Sequence, residues 1–167
     1  MNDEVKTQQK SRDAHRPRRR EFGADAGQYA HEVIEVSRVV RVVKGGRRFR
    51  FRASVLIGDK VGRVGFGIGK SKDVQQAVQK AQQQAEKNMI SVSLHDGTIA
   101  HQVEAKFKAA HVLLKPARAG TGVIAGSVVR VVAELAGIRD LVAKVYGSPN
   151  KINNVEATLS ALQLLRK

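Results

Sequence analysis

Between Phe49 and Ile57 the chain reads Phe-Arg-Phe-Arg-Ala-Ser-Val-Leu-Ile, and this alternation constrains the fold more than any other stretch. A period of two puts Phe49, Phe51, Ala53, Val55 and Ile57 on one face and Arg50 and Arg52 on the other. The segment is therefore a strand with one face to bury and one cationic face. Upstream, Val33 to Val43 is rich in β-branched residues and reads as a second strand, its imperfect alternation fitting a bulge. Lys44-Gly45-Gly46-Arg47 supplies a tight turn between the two. Gly58-Asp59-Lys60 signals another turn, and Val61 to Ile68 is a third strand with Val64, Phe66 and Ile68 on one side. Three sequential strands with short connections make an antiparallel meander.

The periodicity then changes. Ser71 or Asp73 is placed to cap a helix, and Val74, Val78, Ala81, Ala85 and Met89 recur at helical spacing as one stripe. The opposite side is polar, with Gln75, Gln79, Lys80, Gln82, Gln83 and Lys87. Residues 33–89 thus read as β-β-β-α, a three-stranded sheet with one face under a helix and the other free. A second unit follows. Ile90 to Leu94, Ile99 to Phe107 and Val112 to Lys115 read as short strands, with Asp96-Gly97 as a turn. Pro116 to Gly126 is a Gly-rich loop before a helix over Ser127 to Ala136, whose stripe is Val128, Val131, Val132 and Leu135. Leu141 to Tyr146 is another strand, and Val155 to Leu165 a last helix. No internal repeat is present. The predicted class is α+β, divided into an arm at 1–28, an N-terminal domain at 29–90 and a C-terminal α/β domain at 91–167. The arm has almost no aliphatic side chains and cannot offset its chain entropy, so disorder is expected there. Its Arg16 to Arg20 stretch is a candidate for ordering against phosphate.

Charge narrows the function. Thirty Lys and Arg against fifteen Asp and Glu give a net charge of +15 and a pI near 10.7. The first 28 residues hold seven basic and five acidic side chains, which leaves +13 on the part with periodic apolar pattern. The folded body is itself the polycation, and a polyanion relieves its self-repulsion. Nucleic acid is the first candidate and an anionic membrane surface the rival. No apolar run approaches the ~20 residues of a membrane span, and the Met1-Asn2-Asp3-Glu4 start lacks the character of a signal or transit peptide. There are no cysteines, which excludes disulfides and thiolate metal sites and suits a reducing cytoplasm.

Two Gly-rich motifs invite a nucleotide reading. A Walker loop ending in Gly69-Lys70-Ser71 needs a glycine at the position held by Val64. Gly65-Phe66-Gly67-Ile68-Gly69 misses the dinucleotide spacing by one residue. The loop Gly120-Thr121-Gly122-Val123-Ile124-Ala125-Gly126 lacks the acid about 20 residues on that would hold a ribose, because Asp140 precedes its strand. The five histidines (His15, His31, His95, His101 and His111) form no metal-type cluster in the sequence. No catalytic set and no cofactor are expected. The stretch Arg38 to Arg52 is different: Arg38, Arg41, Lys44, Arg47, Arg48, Arg50 and Arg52 occur without a single acid, around the exposed turn at Gly45-Gly46. Arg63, Lys70 and Lys72 extend the basic surface. One-signed density of this kind points to phosphate.

Four ordered motifs carry a resemblance over residues 33–165. They are Lys44 to Phe49, Gly62 to Lys70, Gly120 to Gly126, and Ala143-Lys144 with Gly147-Ser148 and Asn150. Together they resemble the S-five family of bacterial small-subunit ribosomal proteins. Departures fall at Ala119, Ser127, Lys151 and Glu156. The resemblance implies a first domain similar to double-stranded-RNA-binding folds and a second α/β sandwich domain of the C-terminal type of that family. It implies a non-enzymatic role in the cytoplasmic ribosome, with small-subunit rRNA, mRNA at the channel where it enters, and ribosomal proteins S-four and S-eight as partners. It further implies that Val40 to Arg47 lies beside the spectinomycin site. Gly120, Thr121, Gly122 and Arg130 would then face the S-four contact that influences decoding accuracy.

Overall fold

Strands β1 (Ala30–Val43) and β2 (Gly46–Gly58) form one long antiparallel hairpin, closed by the turn at Lys44 and Gly45. The computed structural model describes residues 29–165, so the expected arm at 1–28 lies outside the described residues. The imperfect alternation of β1 has a cause: the register shifts between Val33 and Glu35, a bulge at Ile34. Strand β3 (Arg63–Ser71) pairs antiparallel with β2. Helix α1 (Val74–Lys87) then crosses back over β2 and β3.

The sheet is larger than expected. After α1, the chain adds β4 (Met89–Ser91), antiparallel to β3 at Arg63, Val64 and Gly65. The order is β1-β2-β3-β4. The segment from Ile90, read as the start of the second unit, thus begins inside the first sheet.

The contact of α1 with this sheet explains the Gly65, Gly67, Gly69 pattern. A Cβ at Gly65 would run into the carbonyl of Ala85, one at Gly67 into that of Ala81, and one at Gly69 into that of Ala77. Two strand residues rise about 6.6 Å and four helix residues about 6 Å, so the two small-residue rows stay in step. The buried stripe of α1 is therefore Ala77, Ala81 and Ala85. Val74, expected in the stripe, is exposed, and Met89 belongs to β4. Close approach, more than side-chain size, decides which helix face turns inward.

The second sheet has the order β5-β6-β8-β7. Strands β5 (Val103–Phe107), β6 (Ala110–Pro116) and β8 (Leu141–Gly147) are antiparallel, and the short β7 (Val123–Ile124) runs parallel to β8. Helix α2 (Ser127–Ala136) has its expected bounds, with Gly126 as N-cap and Gly137 as a left-handed C-cap. Helix α3 (Lys151–Gln163) starts four residues before the expected Val155, because Asn150 accepts hydrogen bonds from the Ile152 and Asn153 amides. Both helices share a core with Ala105, Val112, Leu114 and Leu141 of the sheet.

That core does not stop at the second unit. Leu56, Val64 and Phe66 of the first sheet pack into it with residues of α2 such as Val128 and Val132. The face expected to be free is therefore covered at the end near Gly58. It is open only toward the hairpin tip, at Arg50, Ile68 and Lys70, with Arg52 half-buried at the boundary. The turn between β2 and β3 also donates Lys60 N–H to Leu135 O and Gly62 N–H to Ala136 O, each at 3.0 Å.

Gly67→Ala is expected to lower the unfolding free energy by about 3 kcal/mol, since the methyl group is opposed by helix backbone that cannot yield. Gly45→Ala, in open space, should stay within about 0.5 kcal/mol of the parent. Urea unfolding of both variants checks the pair.

Candidate nucleic-acid interface

Directly opposed residues of an antiparallel pair share a face, so the register sorts the cations. Ser37 and Arg52, Val39 and Arg50, and Arg41 and Arg48 are opposed on one face of the hairpin. Arg38 and Phe51, Val40 and Phe49, and Val42 and Arg47 are opposed on the other. On the next strand Lys70 stands opposite Arg52. The first face thus carries Arg41, Arg48, Arg50, Arg52 and Lys70, including two like-charge pairs placed directly across from each other. Such pairs destabilise a sheet unless an anion lies over them. The first acid on this face is Glu35, which accepts a hydrogen bond from Ser37 Oγ at 2.8 Å. Glu35 and Arg52 line a cleft with Pro149, Asn150, Lys151 and Ile152 at the start of α3. The basic face ends there.

The other predicted cations are distributed differently. Lys44 sits in the turn beside Gly45 and Gly46, and all three are exposed. Arg38 and Arg47 lie on the helix side of the hairpin, where the Arg38 guanidinium stacks over the Phe49 ring at 4.8 Å. Lys72 is exposed between β3 and α1. Arg63 is not part of the cluster. It lies at the far end of β3, opposite Ser91, with its Nε 2.7 Å from Asp59 Oδ2 and its guanidinium over Tyr29.

The Gly-rich motifs have structural work. Gly65 to Lys70 lies inside β3, hydrogen-bonded on β2 and backed by α1, so it forms no phosphate cradle. In the second loop, Gly120 and Gly122 hold φ values of +86° and +73°, which glycine adopts freely. The Gly122 amide donates to Asp140 Oδ1 at 2.8 Å, and the Asp140 carbonyl accepts from Thr98 Oγ1 at 2.6 Å. A carboxylate already bound to the loop amide opposes phosphate there. Asp140 was legible only as an acid out of place; its role needs the partner from the distant loop. Arg130, exposed on α2, reaches back to the Ala125 carbonyl at 3.4 Å, so it and Gly122 flank β7.

Residues 29–93 match the family profile described as "Ribosomal protein S5, N-terminal domain", and residues 105–167 match "Ribosomal protein S5, C-terminal domain". The chain belongs to the ribosomal protein S5 family. It is 47% identical over 151 residues to the small ribosomal subunit protein uS5 of Treponema pallidum, covering 89% of this chain and 88% of that one. It is 49% identical over 149 residues to the protein of the same description from Mycoplasmopsis agalactiae, where the match spans 89% of this chain and 64% of the relative.

Membership of the S5 family makes this a ribosomal protein in kind and not an enzyme. Among the described residues no group of His, Asp and Glu is placed to hold a metal, and no helix is long and apolar enough to cross a membrane. One pairing was missed from the sequence: His111 Nε2 lies 3.3 Å from Glu104 Oε2 across the β5–β6 hairpin. Only the register around the turn at Lys108 reveals it.

The surroundings of Asp59 lower the pKa of its carboxyl. Burial pushes its carboxyl up, but the Arg63 guanidinium and the amides of Arg63 and Val61, each amide at 2.8 Å, outweigh that and hold it below the usual value. A lowered folded-state value stabilises the protein above the unfolded value, near 4, and the contribution is lost as pH falls through the folded one. The stability gap between the parent and Asp59→Asn should therefore be constant above about pH 5 and close below about pH 4. Thermal melts across that range read it directly.

Proposed function

We propose that this chain is a non-catalytic constituent of the small ribosomal subunit, in the cytoplasm, and that it binds small-subunit rRNA through the open face of the β1–β2–β3 sheet. One observation carries the reading: two like-charge pairs stand directly opposed on one sheet face, Arg41 with Arg48 toward the exposed tip and Arg52 with Lys70 at the edge of the covered part. Their repulsion is a cost in the free chain that becomes a gain when phosphates lie between them and counterions are released. Arg50 completes the strip, and Lys44, Gly45 and Gly46 bring backbone and charge together at the tip. Arg38, Arg47 and Lys72 supply cations at its margins. Arg63, held by Asp59, makes no contribution in this reading.

The relatives named above are small ribosomal subunit proteins, which supports rRNA as the polyanion. By the same resemblance the hairpin around Val40 to Arg47 lies beside the spectinomycin site, and the protein serves assembly, decoding accuracy and mRNA passage. Gly120, Thr121, Gly122 and Arg130, on an open surface around β7, are assigned to the side facing ribosomal protein S-four. Ribosomal protein S-eight is the other protein neighbour.

Reversing Arg47 and Arg48 to Glu together should abolish incorporation into small subunits. Sedimentation of a tagged copy from low-salt and high-salt lysates checks this, and normal incorporation overturns the rRNA assignment. Gly122→Arg places a bulky cation at a left-handed backbone position on the S-four side, and it should raise misreading. Unchanged readthrough of a reporter removes that assignment.

A further inference from the structure

The conformation of the Gly120–Gly122 loop is decided outside the loop. Packing does not hold it, since a Cβ at Gly120 or Gly122 would meet nothing within 4 Å. Hydrogen bonds from the start of β8 do. Asp140, only 8% exposed, accepts from the Gly122 amide through Oδ1 at 2.8 Å, and the amide of the next residue, Leu141, donates to the Gly122 carbonyl at 3.1 Å. Consecutive residues thus grip both backbone groups of Gly122, at a φ of +73°. With that amide engaged inside the chain, the loop presents side chains to its surroundings, and Arg118, Thr121 and Ile124 are exposed.

Asp140 is in turn braced by the connector between β4 and β5. There His95 and Thr98 exchange backbone hydrogen bonds at 2.9 and 2.8 Å around Asp96 and Gly97, both at positive φ. This is the stiff two-residue turn that Asp-Gly favours. The Gly97 carbonyl accepts from the Arg139 and Asp140 amides at 2.8 and 3.2 Å. Thr98 Oγ1 donates to the Asp140 carbonyl at 2.6 Å and accepts from the Ala117 amide at 3.3 Å. The beginning of the loop, its middle and the connector therefore meet around one acid.

We propose that Asp140 is the positioning residue of the Gly120–Gly122 loop: braced by the turn at Gly97 and Thr98, its carboxylate fixes the backbone shape that the loop presents to its protein neighbour. The proposal rests on the assignment of this loop to the S-four side, and the test separates the two.

Full-length Asp140→Ala, Asp140→Asn and Gly122→Arg chains are assembled into small subunits, and amide hydrogen exchange is followed by mass spectrometry beside a readthrough reporter. In Asp140→Ala the amides from Thr121 to Ile124 should exchange about tenfold faster, the order of one lost hydrogen bond to a charged group. Those of α1 should not change, and readthrough should shift. Asp140→Asn keeps an acceptor for the Gly122 amide and should restore both readouts. If Asp140→Ala is not incorporated, Thr98→Val removes the brace alone and should loosen the same amides roughly threefold, the order of one neutral hydrogen bond. Unchanged loop exchange in the variant used overturns the proposal. Equal acceleration in the loop and α1 also overturns it, because the role is then general stability. A loosened loop with readthrough moved by Gly122→Arg but not by Asp140→Ala overturns it too, and leaves the S-four assignment standing. Readthrough moved by neither variant removes the S-four assignment, while loop-selective loosening rescued by Asn supports Asp140 as the residue that sets the loop.

Discussion

The structure depends on a backbone seam between its two halves. The last carbonyls of α2 have no partners within the helix, and the turn after β2 supplies them, through Lys60 N–H to Leu135 O and Gly62 N–H to Ala136 O. Glycine holds both sides of the seam: a Cβ at Gly58 would meet the Leu135 backbone, and one at Gly137 the Lys60 carbonyl. Side chains then seal it, with Leu56, Val64 and Phe66 entering the core built by α2, α3 and the second sheet. The basic hairpin and the Gly120–Gly122 loop therefore have fixed relative positions, although they belong to different sheets.

A polycation of this size can fold because its charges are sorted. The inward faces of the two sheets and three helices are aliphatic and small, with Ala, Val and Leu dominating the core and few aromatic residues. Such a core buries modest area per side chain, and the glycine–alanine contact of β3 with α1 compensates through close approach and many short dispersion contacts. The repulsive part is kept away from it, on the open end of the sheet, where like charges oppose each other without disturbing the seam.

Much of this was legible in the chain itself, because it depended on local pattern. The alternation at Phe49 to Ile57 marks the strand, and Gly126 and Gly137 bracket α2 at its true ends. The α+β class and the β-β-β-α order follow from the same patterns. What escaped required partners distant in sequence. A short strand was readable from Ile90, but its membership of the first sheet is set by pairing with Arg63 to Gly65. The alanine face of α1 is chosen by the glycines of β3, so a stripe scored by side-chain size selected Val74 wrongly. The arginines could be counted but not sorted: Arg38 and Arg47 separate from Arg41 and Arg48 only once the β1–β2 register is known. Arg63 is an exposed cation as read, but its partners Asp59 and Tyr29 and its place at the far end of β3 separate it from the hairpin arginines.

The bare hairpin also divides the fold by how easily its parts open. Among the described residues no core lies above or below its distal pairs, while β3 and α1 are locked backbone against backbone. Local opening free energies follow burial, so the ribbon beyond Val39 opens at a lower cost than the rest of the molecule. Opening at the tip therefore costs little and leaves the seam and the core beneath it intact.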